Sequence, residues 1–110
     1  MLLPSAIDYT LLRPDATRVQ LEALCAQAAQ HRFATVCISP WMVERAVRLM
    51  AGTGVGVCTV LGFPLGYSTA ETKEYEAKAM IALGANELDV VWNLQAFKSG
   101  DYAYIRNELE

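Results

Sequence analysis

The feature that most constrains the fold is a repeated alternation of short apolar runs with amphipathic helical stretches. The alternation occurs nearly four times within 110 residues. The apolar runs predicted to be strands cover residues 6–12, 33–39, 55–62 and 87–92. They read as continuous hydrophobic runs, which is typical of parallel strands covered on both faces. The sequence therefore predicts successive βα units with parallel strands and right-handed crossovers.

Helix start and stop signals lie between these runs. Thr17 and Gln20 have the spacing of a capping box, in which each side chain binds the other's free backbone N–H. Residues 68–71 have the same spacing before the third helix, and Gly84 suits the left-handed cap that would end it. A fourth helix is predicted from residue 99 to the last residue of the sequence.

Each of the first three helices has one face that is predicted to pack against the sheet. The spacing of apolar side chains assigns these faces, and the charged residues of the third helix are expected to point mostly to solvent. The residues predicted to face inward are Leu21, Leu24, Cys25 and Ala28, then Val43, Ala46, Val47 and Met50, then Tyr75, Ala79, Ala82 and Leu83.

Two architectures fit this pattern: an open doubly wound sheet, and half of an eight-stranded (β/α) barrel. The length is close to half of the roughly 250 residues that a complete barrel needs. We therefore expect residues 1–110 to form one domain, an α/β (βα)4 parallel half of a TIM (β/α)8 barrel that stops within or just after its fourth helix. Such a half would leave strand edges open, so self-association is expected.

Composition and charge argue against several classes of protein. With 54% hydrophobic and 19% charged residues, the chain is not expected to be disordered. Nine Lys and Arg against twelve Asp and Glu give a net charge of −3, so neither nucleic acid nor an anionic membrane is an expected partner. The longest uncharged stretch, residues 49–70, holds five glycines and a proline, which argues against a membrane span.

Cysteine usage and the first residues favour a cytoplasmic protein. Residues 1–4 lack the basic start and long apolar core of a signal peptide. The three cysteines have no CxxC spacing and are expected to be reduced thiols. No metal site is expected, because the single histidine, His31, has no ligand partner nearby in the sequence.

The candidate site residues lie towards the carboxyl ends of the predicted strands, where parallel α/β proteins place their chemistry. Asp89 is the leading candidate for an acid or base, because a carboxylate inside an apolar run needs a partner or its pKa rises. A buried structural aspartate is the alternative. Asp8 is a similar candidate, with capping of its own turn as the alternative, and Thr10 lies beside it. Cys37 is either a nucleophile or a small buried hydrophobe.

The lysines and the other two cysteines are not predicted to be site residues. None of the three lysines, Lys73, Lys78 and Lys98, lies inside an apolar strand, where desolvation would make a lysine nucleophilic. Lys98 is expected in a loop, and Cys25 and Cys58 are expected to be core residues. The residues by themselves therefore predict a parallel α/β protein with a candidate acid at Asp89.

Several segments resemble the deoxyribose-phosphate aldolases. Residues 7–14 read Ile-Asp-Tyr-Thr-Leu-Leu-Arg-Pro, similar to the Ile-Asp-His-Thr-Leu-Leu-Lys-Pro that opens that family, with Tyr9 in place of the commoner histidine. The resemblance occurs in the family's order and extends over nearly the whole chain. The further segments that carry it are residues 34–40, 57–66, 71–73, 76–77, 84–91 and 98–101.

This resemblance implies a (β/α)8 barrel and a class I aldolase that needs neither a metal nor an organic cofactor. The family reversibly cleaves 2-deoxy-D-ribose 5-phosphate to acetaldehyde and glyceraldehyde 3-phosphate through a Schiff base on a lysine of strand six. A lysine of strand seven lowers the pKa of that lysine. By resemblance, Asp89 belongs to the proton relay. Asp8 and Thr10 support the pocket or contact substrate, and Cys37 lines it.

Both family lysines, and the family's phosphate site, come later in the barrel than the fourth strand. The resemblance therefore implies that this chain is an amino-terminal half without a Schiff-base lysine, inactive by itself. Its expected partner is the missing carboxyl-terminal half or a further copy of the chain. The alternative is a non-catalytic half-barrel that self-associates, and an unrelated βα-repeat enzyme is a distant third.

Overall fold

The computed structural model describes residues 3–109, in which four strands form one parallel sheet. The strands are β1 (Asp8–Leu11), β2 (Thr35–Ile38), β3 (Gly56–Leu61) and β4 (Glu87–Val90). Their order in the sheet is β1-β2-β3-β4, and each strand pairs in parallel with the next. The predicted βα repeat is confirmed, and every strand lies within its predicted run.

The same described residues form five α-helices. These are α1 (Arg18–His31), α2 (Val43–Met50), α3 (Ala70–Leu83), α4 (Leu94–Lys98) and α5 (Tyr102–Leu109). The short helix α4 is not predicted by the sequence pattern, and Lys98 is its last residue instead of a loop residue. Between residues 3 and 109, no helix combines the length and the apolar character that a bilayer crossing requires.

Two of the sequence-based expectations fall on residues outside this range. The expectation of no signal peptide rests on residues 1–4, of which Met1 and Leu2 lie outside the described residues. The predicted end of the fourth helix is Glu110, which also lies outside them.

Local sequence determines the start of α1 and the end of α3 as predicted. Thr17 Oγ1 accepts from the Gln20 N–H at 3.2 Å, and Gln20 Oε1 accepts from the Thr17 N–H at 2.9 Å, so that capping box is confirmed. Gly84 ends α3 with a left-handed φ of 107°. The box predicted within residues 68–71 is wrong, because α3 begins one residue later, and Thr69 Oγ1 caps it by accepting from the Thr72 N–H at 3.3 Å.

The hydrophobic core lies between the helices and one face of the sheet. The faces predicted for α1 and α2 are confirmed: Leu21, Leu24, Cys25, Ala28, Val43, Ala46 and Met50 are all buried. They belong to one cluster with the strand residues Val36, Ile38, Val57 and Leu61. Burial of these side chains supplies most of the free energy that holds the sheet against its helices.

The face predicted for α3 is wrong. Tyr75 is 77% exposed, and of the four predicted residues only Ala79 packs against the core. The buried positions are instead Lys73 and Met80, with Ala77 packed between them. These three residues have the i, i+4, i+7 spacing of a core-facing helix stripe. The stripe therefore begins with a lysine, which is why the apolar pattern alone misplaces it.

Lys73 forms a buried ion pair, contrary to the prediction that it points to solvent. Its Nζ donates to Glu108 Oε1 at 2.6 Å, to the Gly66 carbonyl at 2.6 Å and to the Val91 carbonyl at 2.8 Å. The Lys73 side chain is 3% exposed and that of Glu108 is fully buried. One ammonium group thus connects the loop after β3, the end of β4 and helix α5.

We expect Lys73→Met to lower the free energy of unfolding by about 3–5 kcal/mol, because it leaves the Glu108 carboxylate buried without its cation. Lys78→Met is the matched control on the same helix. Lys78 pairs with Glu74 at 3.0 Å on the surface, so its loss should cost about 0.5 kcal/mol or less. Urea unfolding followed by circular dichroism measures both effects.

The double variant Lys73→Met/Glu108→Leu separates the ion pair from the packing around it. Replacing both charges with apolar groups should recover most of the stability lost in Lys73→Met. A Lys73→Met variant as stable as Lys78→Met would contradict the buried pair.

Candidate active site

Alternate strand side chains point away from the helices onto a second face of the sheet. We call this surface the open face. Its residues are Asp8, Thr10, Thr35, Cys37, Cys58, Val60, Glu87 and Asp89. The buried centre of this face is a small cluster of Cys37, Cys58 and Val60, packed with Leu12 and with no helix residue of the described part of the chain. The predicted burial of both sheet faces therefore holds for β2 and β3, and β1 and β4 are partly exposed.

Asp8 is held in place across the sheet by a neighbouring strand. Thr35 Oγ1 donates a hydrogen bond to Asp8 Oδ1 at 2.6 Å. The parallel register makes this contact, because Asp8 and Thr35 are directly paired. Thr10, the next residue on the same face, donates from its hydroxyl to the Asp8 backbone carbonyl at 3.1 Å. The Asp8 carboxylate is thus oriented by Thr35, a residue that the sequence pattern did not single out.

Asp89 lies beside two thiols. The Sγ atoms of Cys37 and Cys58 and a carboxylate oxygen of Asp89 all lie within 4.8 Å of one another. Cys37 and Cys58 are paired residues of β2 and β3, and Asp89 pairs with Val60 on the other side of β3. The structure therefore brings together two predicted site residues, Asp89 and Cys37, and adds Cys58, which was expected to be a plain core residue.

Asp89 is exposed, so the alternative of a buried structural aspartate is wrong. β4 is the last strand of the sheet, and three of its four residues are exposed. In residues 3–109 no further strand lies beyond it. The carboxylate can therefore be solvated on one side while it contacts Cys58 on the other.

Burial keeps both thiols protonated. It raises the pKa of Cys37 above its ordinary value of 9.0, and the charges of Asp89, Asp8 and Glu87 raise it further, partly offset by a hydrogen bond with Cys58. Burial also raises the pKa of Cys58 strongly, reinforced by Cys37 and by Asp89. An activated nucleophilic cysteine needs the opposite shift. The burial of Cys37 and the raised pKa of its thiol therefore favour a pocket-lining role over a nucleophilic one.

A cavity of about 290 Å³ opens at the carboxyl ends of β1, β2 and β3. Its walls include Leu12, Ser39, Val60 and Phe63, and Glu76 of α3 adds a carboxylate. Glu76 Oε1 accepts from the Gly62 N–H at 2.9 Å, which holds the start of the loop after β3. Since Val60 belongs to the open face, this cavity adjoins the cluster of Asp89 and the two thiols. It is a mainly apolar pocket next to an acid, as small-molecule sites commonly are.

Four parallel βα units with polar residues on the open face and a pocket at the carboxyl ends of the strands correspond to half of a (β/α)8 barrel. No family model matches the chain. A deoxyribose-phosphate aldolase of Thermoanaerobacter sp. (strain X514) is 49% identical over 104 residues, which are 94% of this chain and 47% of that protein. The chain spans about half the length of the curated relatives it matches.

Solved structures give the same result. QR15, an aldolase, superposes with a TM-score of 0.91 at 36% identity, over 97% of this chain and 48% of that one. The tetrameric deoxyribose-phosphate aldolase of Aeropyrum pernix superposes with a TM-score of 0.80 at 34% identity, over 96% of this chain and 48% of that one. The predicted half-barrel fold is confirmed, and the chain is similar in sequence to deoxyribose-phosphate aldolases along nearly all of its length.

The raised thiol pKa values predict that the chain loses stability in alkaline solution. A thiol with a higher pKa in the folded state contributes stability that is complete below its unfolded pKa and is lost as pH rises towards the folded pKa. The free energy of unfolding should therefore fall between about pH 8 and about pH 10, by up to about 1.4 kcal/mol per pH unit for each thiol.

Chemical unfolding at a series of pH values, in the presence of a phosphine reductant, measures this dependence. In Cys58→Ala the decline should be shallower than in the wild-type chain, because one thiol that the fold holds protonated is absent. If the free energy of unfolding fell equally steeply with pH in both proteins, burial of Cys58 would not contribute to the alkaline loss of stability.

Proposed function

We propose that this chain is the amino-terminal half of a deoxyribose-phosphate aldolase barrel. The complete barrel would cleave 2-deoxy-D-ribose 5-phosphate to acetaldehyde and glyceraldehyde 3-phosphate, without a metal or organic cofactor. The observation that carries the proposal is the meeting of Asp89, Cys37 and Asp8 on one sheet face, at positions that match the family's motifs. Curated relatives with that enzyme name, 45–49% identical, support it.

In this proposal Asp89 exchanges protons with a bound water during the aldol step. An exposed carboxylate beside a protonated thiol can accept a proton and return it without large movement. Asp8, fixed by Thr35, and Thr10 orient the pocket or contact the substrate. Cys37 lines the pocket as a protonated thiol.

The Schiff-base lysine would come from outside this chain. Lys73 lies on the helix side of the sheet, where its ammonium donates three hydrogen bonds. Lys78 is exposed on α3 and pairs with Glu74, and Lys98 ends α4. None of the three belongs to the open face. We therefore propose that the chain alone forms no productive imine and does not cleave substrate.

A chimera tests this function. Residues 1–109 would be joined to the part of the Thermoanaerobacter relative that lies beyond the matched segment, and aldol cleavage would be assayed. The chimera should be active, and Asp89→Asn should lower kcat by about 10²–10⁴-fold, since it removes a proton acceptor and keeps the shape. Glu87→Gln is the matched control, because Glu87 lies on the same face of the same strand and should be dispensable. Near-normal turnover by Asp89→Asn would show that Asp89 is structural.

The second candidate is a non-catalytic half-barrel that self-associates. It is favoured by the two ends of the sheet, β1 and β4, which each pair with a single strand among the described residues. Apolar side chains are exposed at the β4 end, including Val90, Trp92 and Leu94. The Aeropyrum pernix relative is a tetramer. We propose a cytoplasmic protein whose partner is a further copy or the carboxyl-terminal half, and neither nucleic acid nor a membrane.

We expect the isolated chain to be a dimer or a larger oligomer, since open strand edges favour pairing with another copy. Multi-angle light scattering of the purified chain measures the mass. A single species at the monomer mass would contradict self-association. Addition of the carboxyl-terminal half of a relative should replace the homo-oligomer with a mixed complex if the first candidate function is correct.

A further inference from the structure

Two sulfur atoms and one carboxylate converge on the open face. The ligand atoms of Cys37, Cys58 and Asp89 lie within 4.8 Å of one another. The three residues lie on three adjacent strands, so no short sequence motif predicts that they lie together. Cys37 and Cys58 are 3% and 0% exposed, and Asp89 is exposed. The group therefore consists of two buried sulfur atoms and one carboxylate on their solvent-exposed side.

This set of donor atoms selects one class of cation. Thiolates bind Zn²⁺ and its heavier congener Cd²⁺, whereas Mg²⁺ and Ca²⁺ require all-oxygen surroundings. In a tetrahedral zinc site with Zn–S bonds of about 2.3 Å, two sulfurs lie roughly 3.8 Å apart. In this structure the two sulfur atoms lie no more than 4.8 Å apart, so a shift of at most about 1 Å would bring them to that separation. Three protein ligands leave the fourth position to water, as in open zinc sites.

The sheet holds the two sulfur ligands in place before any ion arrives. Cys37 and Cys58 are directly paired in the parallel register of β2 and β3. Both are buried together with Val60, which limits their freedom to move apart. Little conformational entropy would therefore be lost when a cation binds.

We propose that Cys37, Cys58 and Asp89 form a binding site for a thiophilic divalent cation, Zn²⁺ or Cd²⁺, with water as the fourth ligand. Binding forms two metal–sulfur bonds and one metal–oxygen bond, and the two S–H protons leave to solvent. No electron is transferred. The net charge of the site stays at −1, because the +2 charge of the ion replaces the two protons that leave. If Asp89 serves as the proton acceptor, which rests on the proposed function, occupancy would inhibit the completed enzyme.

Affinity should increase with pH, because the ion must displace a proton from each thiol. The carboxylates of Asp8, Glu87 and Asp89 lie on the same face of the sheet as the two thiols. The same carboxylates attract the cation. Between neutral and mildly alkaline pH the competition with protons should weaken and binding should strengthen.

Cadmium titration of the isolated chain tests the site. The chain would be reduced with a phosphine, and the thiolate-to-cadmium charge-transfer absorption in the ultraviolet would be followed. Calorimetry in two buffers of different ionisation enthalpy would count the protons released. We expect one Cd²⁺ per chain, two protons released, and tighter binding at the higher pH.

Single substitutions locate the ion. Cys37→Ala and Cys58→Ala should each weaken binding by more than the roughly 10–100-fold that loss of an outer partner of a metal ligand costs. Cys25→Ala is the matched control: Cys25 is equally buried, but it lies on α1 in the other cluster and should not affect binding. Asp89→Asn, a change at an exposed side chain, should weaken binding and keep the charge-transfer band.

Absence of the band in the wild-type chain would overturn the proposal, and so would unchanged binding in either Cys37→Ala or Cys58→Ala. Cys37→Ser and Cys58→Ser, each checked for native circular dichroism, guard against loss of binding through unfolding. The titration involves neither aldehyde nor lysine, so its result is independent of whether the chimera cleaves deoxyribose phosphate.

Discussion

The parallel register of the four strands is the constraint on which both the core and the candidate site depend. It pairs Asp8 with Thr35, Cys37 with Cys58 and Val60 with Asp89, so that these side chains share one face. The alternate residues of the same strands pack against the helices. Because side chains alternate along a strand, a slip of one residue would turn the carboxylates and thiols into the helix layer. The apolar core therefore fixes the polar face indirectly.

The buried Lys73–Glu108 pair fixes the segments that follow β3 and β4, which the pairing of the strands does not position. Lys73 binds the carbonyls of Gly66 and Val91, and Val91 is two residues beyond Asp89. Gly66 has a φ of 74°, and a Cβ there would collide with the Trp92 carbonyl, so loop and strand end are in direct contact. A helix residue that looks polar in the sequence thus holds the segment next to the candidate acid.

Much of the fold could be predicted from the sequence, because apolar runs and helix caps are local signals. Such local signals predicted the capping box of Thr17 and Gln20 and the buried faces of α1 and α2. The α3 face was misjudged because its stripe begins with Lys73, whose partner Glu108 is distant in sequence. Asp89 was recognised as a polar residue in an apolar run, but its contact with Cys58 and the Thr35–Asp8 bond depend on strand pairing, which a single sequence does not specify.

Our central proposal is that this chain provides the acid and thiol side of an aldolase pocket and that the lysine that carries the substrate comes from outside it. The most direct measurement is the intact mass of the chain after incubation with deoxyribose 5-phosphate or acetaldehyde and borohydride, beside a full-length relative treated in the same way. The claim predicts labelling of the relative and no specific adduct on this chain. A single adduct mapped to Lys73, Lys78 or Lys98 would contradict it.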